Sequence, residues 1–257
     1  DTLPFKVVRQ AKDKAVFASE FTLTNYSGTR FEVAVSREVR LLSTEAAWRK
    51  LGVTPARDVK LVAYESDNKI TNAGKDAWKK DTGLLSIWIL SMFNPSPGTT
   101  IVVPIKGGLA SELGPEVNAD YFGRVPPERL VVKNNVIFFS ADGKCRSKIG
   151  VNPKRCKPLL GSYDATNKVL TLAQFSFQDG VTDYVNSMWQ IQDQPFAGDA
   201  ANSYNDGPPA PGKKPMGPFY EIESSSPAAA LEPGKTLVHT HRTMHLVGPE
   251  KALDAIA

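Results

Sequence analysis

Short runs rich in β-branched and aromatic residues, each closed by Gly, Pro, Asn or Asp, recur along the chain, and this punctuation limits the fold more than any other feature. The runs cover residues 17–24, 30–42, 59–65, 84–92, 99–104, 129–140 and 169–177. Turn signals at 25–28, 94–98, 141–143 and 178–180 separate them, so 21–24 and 31–35 read as the two arms of a hairpin. Helical pattern is confined to 44–51, with Ser43 or Thr44 as N-cap and Gly52 as the stop, and to 249–257. Without regular strand–helix alternation, the expected fold is mainly β, with antiparallel sheets and a few short helices.

The whole span 1–257 reads as one β-sandwich domain. The Pro- and Gly-rich loop 205–217 has the composition of a linker, but strand character resumes directly in 218–224 and 236–247. That is only enough material for a hairpin, which must pair with a sheet formed earlier. Hydrophobic residues make up 41% of the chain, enough for a sizeable core. Lys and Arg total 31 against 27 Asp and Glu, spread along the chain, so no concentrated phosphate-neutralising surface is present and nucleic acid is not an expected partner. No run of 18 apolar residues exists, and membrane insertion is not expected. The expected location is periplasmic or secreted; the residues open without a charged-then-apolar leader, which makes Asp1 a processed or truncated end. Cys145 and Cys156 match neither a redox nor a zinc spacing, and either close a small loop or stay free.

Period-two geometry singles out two segments near the carboxyl end. In Phe219-Tyr220-Glu221-Ile222-Glu223-Ser224 the carboxylates share one face and Tyr220 and Ile222 the other. In residues 237–246 the histidines His239, His241 and His245 share a face. Two facing strands would then set carboxylates beside imidazoles, giving a proton acceptor and donor: Glu223 as base, with His239 or His241 in the catalytic set. The solvated face of a hairpin would produce the same alternation. A metal site is the competing chemistry, since His239 and His241 at i, i+2 can reach one ion. Pro233-Gly234 followed by His239-Thr240-His241 resembles the first cupin motif, except that His245 stands where a glutamate should follow. Gly234-Lys235-Thr236 is not a phosphate loop, because Ala229 replaces the required glycine; Pro233 and Gly234 suit the centre of a turn instead. No cofactor is expected.

Candidate ligand-binding residues fall in three places. Asn186, Trp189, Asn202, Tyr204 and Asp206 mix aromatic faces with hydrogen-bonding groups, which suits a carbohydrate. Glu221 accompanies Glu223. Arg146, Lys148 and Arg155 lie in the basic stretch 144–157, which reads either as a solvated loop or as a site for an anionic ligand, such as a uronate or sulfated sugar. Glu223 and at least one of His239 and His241 are expected to line one concave pocket with Trp189 or Lys148.

Residues 217–227, the Leu231-Glu232-Pro233-Gly234 turn and the strand from His239 to His245 together resemble the closing part of galactose mutarotase-like proteins. Residues 84–104, 146–150, 161–164, 186–189 and 202–208 resemble more closely the bacterial DUF6786 family, assigned to that superfamily, and the likeness covers nearly the whole chain. The resemblance implies a β-supersandwich, a saccharide ligand, and Glu223 in the place of the catalytic base of aldose epimerases. Glu221 is the fallback, because the proline follows one residue sooner here. It also implies a further β-rich stretch upstream and an acid histidine from earlier in the fold, whereas no histidine precedes His239. The acid would then lie upstream, or His239 or His241 would replace it. The function expected is a carbohydrate-binding protein accessory to saccharide breakdown. The alternatives are an epimerase-like or other carbohydrate-active enzyme using Glu223, and a cupin-like metal-dependent enzyme using His239 and His241.

Overall fold

The computed structural model describes residues 3–188 and 191–257. Its elements run β1 (Lys6–Gln10), β2 (Lys14–Thr24), β3 (Arg30–Leu41), α1 (Thr44–Leu51), β4 (Lys60–Asn72), β5 (Trp88–Phe93), β6 (Thr99–Pro104) and α2 (Ala110–Leu113). A 3-10 turn at Pro127–Arg129 leads into β7 (Leu130–Lys133), β8 (Val136–Ser140), β9 (Ser147–Val151), β10 (Leu159–Asp164), β11 (Val169–Phe175), β12 (Ala201–Asn205), β13 (Tyr220–Ser225), β14 (Thr236–Val247) and α3 (Glu250–Asp254).

Local chemistry accounts for the boundaries. Ser43 Oγ accepts the Ala46 amide at 3.2 Å and Gly52 ends α1 at φ 74°, which a left-handed C-terminal position requires. Pro233 and Gly234 occupy the centre of a turn closed by Lys235 N donating to Glu232 O at 3.0 Å, with Gly234 at φ 74°. The run 129–140 is not one strand. Asn134 and Asn135 both take positive φ (53° and 59°) and fold it into the β7–β8 hairpin, because a two-residue loop with left-handed residues matches strand twist. Strands β1, β9, β10 and β12 were not marked by hydrophobic runs.

The strands form two antiparallel sheets. One has ten strands in the order β1-β2-β3-β4-β14-β11-β10-β6-β8-β7, the other four in the order β5-β13-β12-β9. The segments 218–224 and 236–247 therefore do not pair with each other: β13 joins the small sheet between β5 and β12, and β14 joins the large sheet between β4 and β11. The main core lies between the sheets, with Ile101, Val103, Ile137 and Phe139 from one side and Ile149, Ala201, Tyr220 and Ile222 from the other. On the far face of the large sheet, α1 and α3 bury Trp48 and Leu253 against Ala63, Met244 and Leu246. No helix among the described residues is long and apolar enough to cross a membrane. Both cysteines are free, Cys156 buried and Cys145 partly so.

All three histidines do share one face of β14, and it is the face turned into the sandwich. His239 Nε2 and His241 Nδ1 each lie 2.8 Å from Ser224 Oγ, and His239 Nδ1 lies 3.1 Å from Ser176 Oγ. His245 Nδ1 lies 3.0 Å from Thr171 Oγ1, with its ring edge-on to Phe93. Burial lowers the imidazole of His239 to about 4 and that of His241 to about 3, the latter helped by His239, Arg37 and Arg242 nearby.

An imidazole kept neutral inside but titrating near 6.5 when unfolded binds its proton only in the unfolded chain over that interval. Its contribution to stability is therefore complete above about pH 6.5 and is lost as pH falls toward the folded values. Urea unfolding at pH 5 should show a stability lower than at pH 7 by on the order of 2–4 kcal/mol from this pair. Replacing both by Gln should flatten that slope; an unchanged slope would show that other groups govern it.

Candidate functional site

Alternation along β13 separates the carboxylates from the histidines. Ser224 points inward to His239 and His241, so Glu223 and Glu221 must point to the outer face of the small sheet. The expected common pocket of Glu223 with His239 or His241 is not formed, because the two strands stack across the sandwich and the imidazoles meet the back of β13. The cupin-like arrangement fares no better in geometry: both imidazoles are committed to Ser224, and no group of three or more His, Cys, Asp or Glu side chains among the described residues is placed to hold a metal ion.

Register fixes what shares the outer face with the carboxylates. One row across the sheet is Gly150, Asn202, Glu223 and Leu90; the next is Lys148, Tyr204, Glu221 and Met92. Arg146 and Asp206 continue the alternation beyond the ends of β9 and β12. Seven expected site residues are thus brought onto one face: Arg146, Lys148, Asn202, Tyr204, Asp206, Glu221 and Glu223.

At the centre is a buried ion pair. Lys148 Nζ donates to Glu223 Oε2 at 2.8 Å, and the indole Nε1 of Trp88 donates to the same oxygen at 2.8 Å. Glu223 is 0% and Lys148 5% exposed. The ammonium also lies 4.7 Å from the Trp88 ring centroid and 5.2 Å from that of Tyr121, where the ring faces favour a cation. Glu223 Oε1 is buried with no hydrogen-bond partner among the described residues. Glu221, only half-buried, lies against it. Burial foremost, then the neighbouring carboxylate, push Glu221 up to about 7 against the pull of Lys148.

A second buried carboxyl supports the first group. Asp199 Oδ2 accepts from Tyr121 Oη at 2.5 Å and from Asn118 Nδ2 at 3.0 Å, while Asn202 Nδ2 donates to Tyr121 Oη at 3.0 Å and to Ile149 O at 3.2 Å. Burial raises Asp199 above the ordinary carboxylate range. Gly150 makes this possible: a Cβ there would sit 2.0 Å from Asp199 Oδ2 and 2.6 Å from Asn202 Nδ2. Further along, the Arg146 guanidinium stacks 4.0 Å from the ring centroid of the exposed Phe122, which meets Tyr204 edge-on. Tyr204 Oη donates to Asp206 Oδ1 at 2.9 Å, and Gly217 N donates to Asp206 Oδ2 at 2.8 Å.

The remaining expected residues lie elsewhere. Arg155 is 1% exposed and donates to the carbonyls of Gly114, Lys106 and Gly108 at 3.0, 2.9 and 3.1 Å, which makes it a clamp on the 106–114 segment. Of the basic stretch, Lys144, Lys154 and Lys157 are exposed, whereas Lys148 and Arg155 are buried against the protein's own groups. Asn186 caps its own turn by accepting the Met188 amide at 3.1 Å and lines a separate cleft of about 600 Å3 with Tyr26, Lys80 and Phe196. Trp189 lies outside the described residues. Sequence reasoning missed Trp88, Tyr121, Phe122 and Asp199. Trp88 alone carried a signal, since it alternates with Leu90 and Met92 opposite Ile87 and Ile89.

Removing one partner of the buried pair leaves the other charge uncompensated. Lys148→Met should cost about 3–5 kcal/mol in urea unfolding, and adding Glu223→Leu should recover most of it. Equal losses in the single and double variants would mean that packing, not charge, is at stake. Gly150→Ala should cost about 1–3 kcal/mol by the same measurement, through displacement of Asp199 and Asn202; an unaffected midpoint would contradict the packing described.

Comparisons with known proteins agree with this architecture. Residues 1–257 match the model of DUF6786, a family of unknown function, and the chain belongs to that family. No curated protein matches the sequence. Among solved structures, a candidate aldose 1-epimerase from Klebsiella pneumoniae aligns with 98% of this chain at 10% identity and a TM-score of 0.50, the chain spanning 56% of that protein's length. A galactose mutarotase-like protein from Lactobacillus casei ATCC 334 aligns with 94% of this chain at 11% identity and a TM-score of 0.49, with 72% of that protein covered. The fold is mainly antiparallel β and galactose mutarotase-like.

Proposed function

We propose that this member of the DUF6786 family binds a saccharide on the outer face of its small sheet, as a carbohydrate-binding protein that serves saccharide breakdown. The observation that carries the reading is the make-up of that face. The half-buried Glu221, Trp88 and Tyr121 and the exposed Phe122 reach its surface, over a buried layer of Asn202, Tyr204 and Asp206. Sugar rings present C–H surfaces to aromatic faces and hydroxyls to such polar groups, so both halves of a saccharide find partners there. The fold, shared with the Klebsiella protein, is compatible with a carbohydrate role and does not by itself assign one.

A second reading is favoured by one specific arrangement: Glu221 and Glu223 share a face of β13, and burial with the neighbouring carboxylate pushes Glu221 up to about 7. Opening an aldose ring needs a base for the anomeric hydroxyl proton and an acid for the ring oxygen. Glu223, paired with Lys148, supplies the base, and Glu221, pushed up to about 7, supplies the acid that no histidine on this face provides. Loss of the hydroxyl proton and protonation of the ring oxygen break the C1–O5 bond, and the reverse transfers close the ring on either face.

Screening on a glycan array, followed by titration calorimetry of the best ligand, should show saccharide binding that weakens by about tenfold in Phe122→Ala, an exposed ring whose removal leaves the core intact. An array with no saccharide bound would remove the binding reading. Polarimetry on a single anomer of a bound aldose tests the second: acceleration should fall by about 10²-fold or more in both Glu223→Gln and Glu221→Gln. Binding without acceleration would leave the first reading and discard the second.

A further inference from the structure

The charge balance of the outer face bears on which saccharides it takes, an inference that rests on the saccharide reading above. Four carboxyl groups, Asp199, Asp206, Glu221 and Glu223, share this face with two cations, Lys148 and Arg146. The carboxyls outnumber the cations, and Lys148 is already committed. Lys148 is bound to Glu223 and boxed by the Trp88 and Tyr121 rings, and Arg146 is stacked on Phe122. The residues that pointed from sequence to an acidic ligand thus answer to the protein's own groups.

What the face leaves unanswered is acceptor capacity. Glu223 is fully buried, yet its Oε1 has no donor among the described residues, and a carboxylate can only accept. Glu221 stands beside it as the half-buried acid on the solvent side. A uronate or sulfate arriving here would add a like charge to a face whose carboxyls outnumber its cations. A sugar hydroxyl would offer one donor; an ammonium offers three donors together with the charge that two adjacent carboxylates lack.

We infer that this face takes a saccharide bearing a free amine, with the ammonium seated against half-buried Glu221 and directed at the buried, unpartnered oxygen of Glu223, and that it rejects uronates and sulfated sugars. The ammonium brings its own charge and donors to the two carboxyls, so no proton transfer and no co-reactant are required.

The test compares, at pH 7, glucosamine oligosaccharides, their N-acetylated counterparts and uronate oligosaccharides of equal length on one array, with dissociation constants from titration calorimetry. Acetylation removes the charge and little else, so the amine form should bind about tenfold more tightly than the acetylated one. Uronates should bind more weakly than both, and the amine-to-acetyl ratio should fall toward one in Glu221→Gln. The wild-type ratio decides the matter alone if that variant does not fold. Equal binding of amine and acetylated forms, or uronates binding as tightly as amines, overturns this inference and leaves the saccharide reading in place. No binding of any saccharide class overturns that reading itself, and this one with it.

Discussion

The ion pair between Lys148 and Glu223 is the interaction on which the outer face depends. Glu223 is fully buried, and a carboxylate can be held there ionised only if a cation accompanies it. The cation comes from β9, with β12 lying between that strand and β13, so the long stem of Lys148 must cross the face of β12 to reach it. That crossing dictates what lies around it. Trp88 donates to the same oxygen, Tyr121 covers the ammonium, and Gly150 leaves room for Asp199 and Asn202 to hold Tyr121 in place.

Directly behind this charged group, the same strand serves an interior of opposite character. Ser224, the residue after Glu223, bridges His239 and His241 between the sheets, where desolvation keeps both imidazoles neutral. One strand thus separates an ionised layer from a neutral polar layer. The two meet different requirements: Glu223 on the outside is paired with a cation, while Ser224, Ser176 and Thr171 inside meet the imidazoles by hydrogen bonds alone. Such pairing explains why a sandwich core can contain Ser, Thr and His without leaving them exposed.

Much of the framework was legible because local rules act at short range. The capped helix α1, strand β6 and strand β14 appear where pattern and turn residues place them, since caps, prolines and alternation need only neighbouring residues. Strands β9 and β12 were not legible for the converse reason. Every residue of each is buried, and polar residues such as Lys148, Asn202 and Asn205 find partners far along the chain, so neither shows a hydrophobic run or a solvent-facing alternation. The 129–140 run was read as one strand because two asparagines in the left-handed region leave the hydrophobic pattern on either side unbroken.

By itself, the sequence determined a mainly β chain, its principal turns, and the fact that Glu221 and Glu223 share one side of a strand while the histidines share one side of another. Alternation within a strand is covalent geometry, so it survives in any fold that keeps those strands. Which side faces which is another matter. Only the assignment of β13 and β14 to different sheets turned the imidazoles inward and the carboxylates outward, and only register across β9, β12 and β13 set Lys148 beside Glu223. Those relations depend on pairing between residues 75 positions apart, and nothing local in the chain encodes so distant a contact.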